Sequence, residues 1–151
     1  MEILEQAQID EVLETTSVMH LGCIDTGPYV TALSYVMLDG EMFFRTYPGR
    51  RITALRNDPR VGVEISQVDG ETGSWVSVVA DGTARIIEDA ATAIRVESAL
   101  ISKYSDAYEN LVSGPSRPPL GEAYIVAIEL RNINGRSSGS GWGRRTRPGR
   151  M

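Results

Sequence analysis

The sequence predicts a mainly β protein with peripheral helices, its strands closed or nearly closed into an antiparallel barrel. Three observations carry this. Six segments read as strands, most of the links between them are short, and turn dipeptides such as Asp39-Gly40 and Asp69-Gly70 separate apolar runs. Helical patterning is confined to the N-terminus, one short segment and one longer one, which places helices at the periphery.

The elements follow in order. Residues 2–14 read as a helix with Ile3, Leu4, Ala7, Val12 and Leu13 tending to one side. Residues 17–24 read as a strand ending at the Asp25-Thr26-Gly27 turn. Residues 29–38 and 41–46 read as a hairpin, since Asp-Gly suits a two-residue turn. Residues 50–57 read as a short helix with Ile52 and Leu55 inward, stopped by Asp58-Pro59. Strands are expected over 61–68 and 74–87, the second with Gly82 as a bend or bulge. A helix over 89–104 opens on acidic residues, which suits the positive end of its dipole. Residues 113–121 read as a loop, and 124–133 as the last strand.

A chain of 151 residues supports one domain with a real core. Cys23 is its only cysteine, so no internal disulfide forms, and His20 is its only histidine. One His and one Cys build no soft metal site of the usual ligand sets, so no metal is expected. No apolar run reaches the roughly 20 residues of a bilayer span, and the acidic N-terminus is not a secretory signal. The expected compartment is therefore cytoplasmic, with no membrane partner. Acidic residues dominate 1–130, and six arginines with no acid mark 131–151. An acidic body argues against nucleic acid as partner. The Gly-, Ser- and Arg-rich end reads as a flexible tail over 135–151, following a domain over 1–134.

Catalytic side chains are scarce. His20 lies in an apolar strand and reads as a packed, hydrogen-bonded histidine; a catalytic role would require an acidic or nucleophilic partner. Cys23 reads as a small buried residue. Asp58, Glu64, Asp69, Glu71 and Asp81 read as solvated turn carboxylates. The basic corner Gly49-Arg50-Arg51 is different. It opens a helix, where free N–H groups and the dipole favour an anion, and it adds two guanidiniums. Thr46 supplies a hydroxyl nearby, and Arg45 shares a strand face with Phe43. Trp75 and Ser77 share a face on a later strand, adding an aromatic surface and a hydroxyl. The corner suits a phosphate held beside a sheet; a solvated basic turn is the alternative.

The segments PYVTALSY (28–35), FFRT (43–46), GRR (49–51), LRNDPRV (55–61) and WVSV (75–78), with Gly82, together resemble the pyridoxamine 5′-phosphate oxidase-like, FMN-binding split-barrel flavoproteins. The nitroimidazole-resistance branch is the most similar in flavour, over roughly residues 2–134. The resemblance implies a six-stranded antiparallel split β-barrel. It also implies a homodimer with FMN, or in some branches the deazaflavin F420, at the subunit interface, and a small-molecule substrate. By the same resemblance, Tyr29, Val30, Thr31, Ala32 and Ser34 line the isoalloxazine. Arg45 and Thr46 lie along the ribityl-phosphate side, and Arg50 and Arg51 hold the phosphate. Trp75 and Ser77 flank the cofactor from either subunit. Arg51 stands where relatives usually carry Lys, Arg45 where the nitroimidazole branch often carries His, and Ala32 where a proline is common. The substrate-binding Arg and His pattern of true pyridoxamine phosphate oxidases is not evident, which argues against vitamin B6 oxidation. The implied activity is that of a flavin-dependent oxidoreductase, with no side chain assigned as acid or base. An F420-dependent reductase, a non-catalytic flavin or haem storage protein, and an interaction domain that has lost its cofactor site stand as alternatives.

Overall fold

The computed structural model describes residues 1–112 and 123–139. The chain runs β1 (Glu2–Ile3), α1 (Gln6–Thr15), β2 (Val18–Ile24), β3 (Pro28–Ser34), β4 (Val36–Leu38), β5 (Glu41–Thr46), α2 (Arg50–Asn57), β6 (Arg60–Val68), β7 (Trp75–Ile86), α3 (Ala90–Val112) and β8 (Tyr124–Ser137). One antiparallel sheet takes the order β3-β2-β6-β7-β8-β5-β4, with β1 added to β8. The sheet begins at β3 and ends at β4, yet these two strands are consecutive in the chain. It therefore curls until its ends lie at one seam, as a split barrel. The six strands expected from the sequence are present, the second divided at Tyr35 into β3 and β4.

Tyr35 explains the split. Its backbone N–H donates to the Tyr104 hydroxyl at 2.9 Å, and the single O–H proton of that hydroxyl is shared between the carbonyls of Tyr35 (2.6 Å) and Ser17 (2.7 Å). Lys103 Nζ also donates to the Tyr35 carbonyl and sits over the Tyr35 ring. With its backbone captured by α3, Tyr35 makes no ladder bonds, and its fully buried ring sends a hydroxyl to the Leu13 carbonyl. The turn after β4 follows the sequence reading. Asp39 and Gly40 have φ of 51° and 78°, positive at both central positions as a type I′ hairpin requires.

Other expectations are corrected. Glu2 and Ile3 leave the expected first helix and pair with Arg136 and Ser137 of β8, so Ile3 is exposed and Ile9 joins Val12 and Leu13 in facing the core. Glu5, bonded reciprocally with Gln8, caps α1 and fixes its later start. The last strand runs to Ser137, so 135–137 belong to the barrel and not to a tail. The bulge lies between Val79 and Asp81, where the extra residue is on β8 beside Asn132, which has φ 52°. Gly82 is regularly paired and is needed for close approach: a Cβ there would stand 2.5 Å from Ile128 Cγ2. The loop expected over 113–121 and the tail beyond 139 lie outside the described residues.

The barrel interior is filled by Met19, Leu21, Met42, Phe44, Ile65, Val76, Val78 and Ile128. A second cluster on the opposite side of β5 and β8 packs Phe43, Ile125 and Ala127 against Val96 and Leu100 of α3. α2 buries Ile52, Ala54 and Leu55 into the main core, its two large apolar side chains contributing about 1.5–3 kcal/mol each. That anchoring holds the N-terminus of α2 between the ends of β3 and β5. No described helix is long and apolar enough to cross a membrane.

Candidate functional site

β5 leaves the barrel through Thr46, and α2 begins after Gly49 without a side-chain cap, so its first N–H groups have no side-chain acceptor. Arg51 lies across this opening. Its Nε donates to Thr31 Oγ1 of β3 at 3.2 Å and its Nη1 to Thr46 Oγ1 of β5 at 3.0 Å. One guanidinium thus ties β3 and β5 to the helix start. A guanidinium carries five N–H donors, so three remain for a ligand. The charge is felt inside the barrel: burial pushes the Cys23 thiol above its ordinary value, and Arg51 is the main influence opposing it.

Arg50 is held differently. Its Nε lies 2.6 Å from Asp25 Oδ2, and its guanidinium stacks 3.9 Å from the Tyr29 ring centroid. The Asp25 hydrogen bond holds the Arg50 guanidinium above its ordinary pKa. Side-chain alternation along β3 divides its candidate residues. Tyr29 and Thr31 face the barrel and the two arginines, while Val30, Ala32 and Ser34 face outward. Among the described residues β3 pairs only with β2, so its other edge offers backbone donors and acceptors that no described strand takes up.

Arg45 and Thr46 lie on opposite faces of β5. Thr46 joins Arg51, whereas Arg45 is buried on the α3 side, 3.5 Å from Glu97 Oε1 and donating to the Tyr47 hydroxyl. The structure therefore brings Thr31, Thr46, Arg51, Tyr29 and Arg50 together and leaves Arg45 outside this group. Trp75 and Ser77 are on the outer face of β7, separated from β3 by β2 and β6, or about 14 Å at the usual strand spacing.

Three residues outside the sequence-derived set matter here. Asp25 occupies Arg50, and its position in the turn before Gly27 was the only available signal. His20 is not packed in the core but stands on the outer face of β2, its Nδ1 3.3 Å from Glu64 Oε1. Glu64 is mid-strand on β6 and not a turn carboxylate. A groove of about 520 Å³ runs over this end of the sheet, lined by Ile24, Asp25, Tyr29, Val30, Arg60 and Asp81 among others.

The family model described as pyridoxamine 5′-phosphate oxidase matches residues 5–137, nearly the whole barrel. The chain belongs to this family. Among solved structures, an FAD-binding protein from Mesorhizobium loti is 25% identical, with a TM-score of 0.73 over 92% of this chain and 97% of that one. A candidate 5-nitroimidazole antibiotic resistance protein from Bacteroides thetaiotaomicron shares the fold at 14% identity, with a TM-score of 0.71 over 90% and 86%. The haem storage protein from Vibrio cholerae shares it at 14% identity, with a TM-score of 0.66 over 83% and 89%. No curated protein matches the chain.

Proposed function

We propose that this protein is a flavin-dependent oxidoreductase that binds FMN at the seam of the barrel and acts on a small molecule. The observation that carries the proposal is the Arg51 guanidinium, fixed by Thr31 and Thr46 over the uncapped start of α2. The remaining N–H groups of Arg51 and the first N–H groups of α2 suit a phosphate monoester. A Cβ at Gly49 would meet nothing within 4 Å, so space is open in front of the helix. The free edge of β3 offers backbone groups to a flat heterocycle. A bound flavin would supply the hydride and electron chemistry, and the protein its position, electrostatics and shielding from water.

We infer further that the working unit is a homodimer built on the outer face of the sheet. That face exposes Val18, Ile24, Val30 and Val79 around the adjacent glycines Gly22 and Gly62, a surface flat enough for close approach. The 14 Å between β3 and β7 within one chain fits a site completed by Trp75 and Ser77 of the partner subunit. Arg45, on the far side of β5, has no part in phosphate binding in this reading; it orients Tyr47.

The test is titration of the purified chain with FMN, followed by visible absorption and by sedimentation. Saturable binding of one FMN per chain in a dimer supports the proposal. A monomer that takes up no FMN overturns it. The same titration with F420 and with haemin tests the two cofactor alternatives, and tight uptake of either in place of FMN would transfer the site to that ligand.

A further inference from the structure

One cluster of titratable side chains lies outside the phosphate corner. His20 and Glu64 are register partners on β2 and β6, and Nδ1 of the imidazole meets Oε1 of the carboxylate at 3.3 Å. The second carboxylate oxygen accepts from Ser77 Oγ of β7 at 3.4 Å. A carboxylate only accepts hydrogen bonds, so Nδ1 carries a proton and Nε2 is the free nitrogen. Ser77 holds the carboxylate, and the carboxylate holds the ring. The imidazole is 48% exposed within one chain, so Nε2 points into the cleft between the two outer faces of the dimer inferred above, where a ligand can reach it.

The surroundings are apolar on one side and sparsely charged on the other. On β3, the register partner of His20 is Ala32, flanked on the same face by Val30 and Ser34, with no charged group. Val18 and Val79 are the exposed neighbours on β2 and β7. The other charged groups on this face include Arg60, on β6 with Gly62 and Glu64, Asp81 opposite Gly62, Arg131 opposite Asp81, and Arg136 opposite Ser77. The histidine therefore stands one strand in from the edge that carries the candidate cofactor residues, on a surface suited to a planar apolar molecule.

We propose that His20, oriented by Glu64, is the proton-transfer residue of this site, and that the substrate is an apolar carbonyl acceptor of the quinone class. The proposal rests on the flavin reading above and names its substrate. Reduction of a quinone to a hydroquinone takes one hydride and one proton. A bound reduced flavin would supply the hydride equivalent and would be recharged by a nicotinamide donor. The imidazolium Nε2–H gives its proton to the oxygen left negative, the N–H bond breaking as the O–H bond forms. Water entering the cleft between the subunits then returns the proton. Glu64 is a positioning residue: it accepts from Nδ1–H and keeps Nε2 outward.

The test uses the full chain loaded with FMN, photoreduced without oxygen and mixed with menadione. His20→Gln should slow flavin reoxidation about 100-fold or more, in the range of lost acid–base catalysis, with FMN affinity unchanged. Because His20 is the only histidine, nitrogen NMR reads its tautomer directly. The neutral wild-type ring should carry its proton on Nδ1, and Glu64→Gln should shift it toward Nε2. Reoxidation by His20→Gln within about twofold of wild type overturns the proposal, as does an Nε2–H tautomer in the wild type. Failure of wild type to bind FMN is a different result: it overturns the flavin reading, and this inference with it.

Discussion

Replacing Arg51 by alanine should weaken FMN binding far more than riboflavin binding. Two of the five guanidinium N–H groups are used on Thr31 and Thr46, at 3.2 and 3.0 Å, which fixes the guanidinium and leaves three donors for a ligand. One or two charge-assisted bonds to phosphate, at about 1.5–3 kcal/mol each and with some loss shared by the helix N–H groups, amount to about 2–4 kcal/mol. That is about 30- to 900-fold in Kd. Riboflavin has the same ring and ribityl chain without the phosphate, so its Kd should change by less than about threefold. The assay is fluorescence quenching of each flavin on titration with wild type and Arg51→Ala, with circular dichroism to verify folding. Equal losses for the two flavins, or an FMN Kd within about threefold of wild type, would refute the phosphate assignment. Arg51→Lys should give an intermediate loss. An ammonium keeps the charge but cannot bridge Thr31 and Thr46 as a planar fork does.

Asp25→Asn should tighten FMN binding about two- to fivefold by freeing Arg50 from its exposed ion pair and removing a negative charge near the phosphate; weaker binding in the same titration would contradict this. Gly82→Ala should destabilise the barrel by about 1–3 kcal/mol in urea unfolding, because the new methyl meets Ile128, Val61 and the Glu129 carbonyl. Tyr35→Phe should cost about 1–3 kcal/mol by leaving the buried Leu13 carbonyl without its donor. Lys103 provides a pH test. Burial lowers it from 10.5 to about 8, so between those values the unfolded chain binds the proton more tightly and stability rises with pH. Lys103→Met should flatten that rise, and an unchanged slope in denaturant midpoints over this range would refute the burial argument.

Much of the fold was legible because local chemistry specifies it. Asp39-Gly40 demands positive φ at both positions, and both have it. Ile52 and Leu55 sit one turn apart before Asp58-Pro59, and α2 lies where they place it. The basic corner at the start of α2 was legible for the same reason, since its residues are neighbours in sequence. What sequence neighbours could not convey was long-range capture. Tyr104 is 69 residues from Tyr35, yet its hydroxyl takes the backbone bonds that would have continued one strand, and so creates the seam. Asp25, before β3, removes Arg50 from the pair of arginines that looked equivalent, and leaves Arg51 as the one bridging β3 and β5. Strand alternation places Arg45 and Thr46 on opposite faces, but only the packing of α3, with Glu97, decides which of them meets the site. Likewise the run around His20 is apolar enough to read as core. Pairing of β2 with β6 turns the imidazole outward onto Glu64, because a residue's face depends on which strands the sheet sets beside it. Local propensity and turn chemistry were thus written in the chain, whereas the identity of each side chain's partner came from the curling of the sheet.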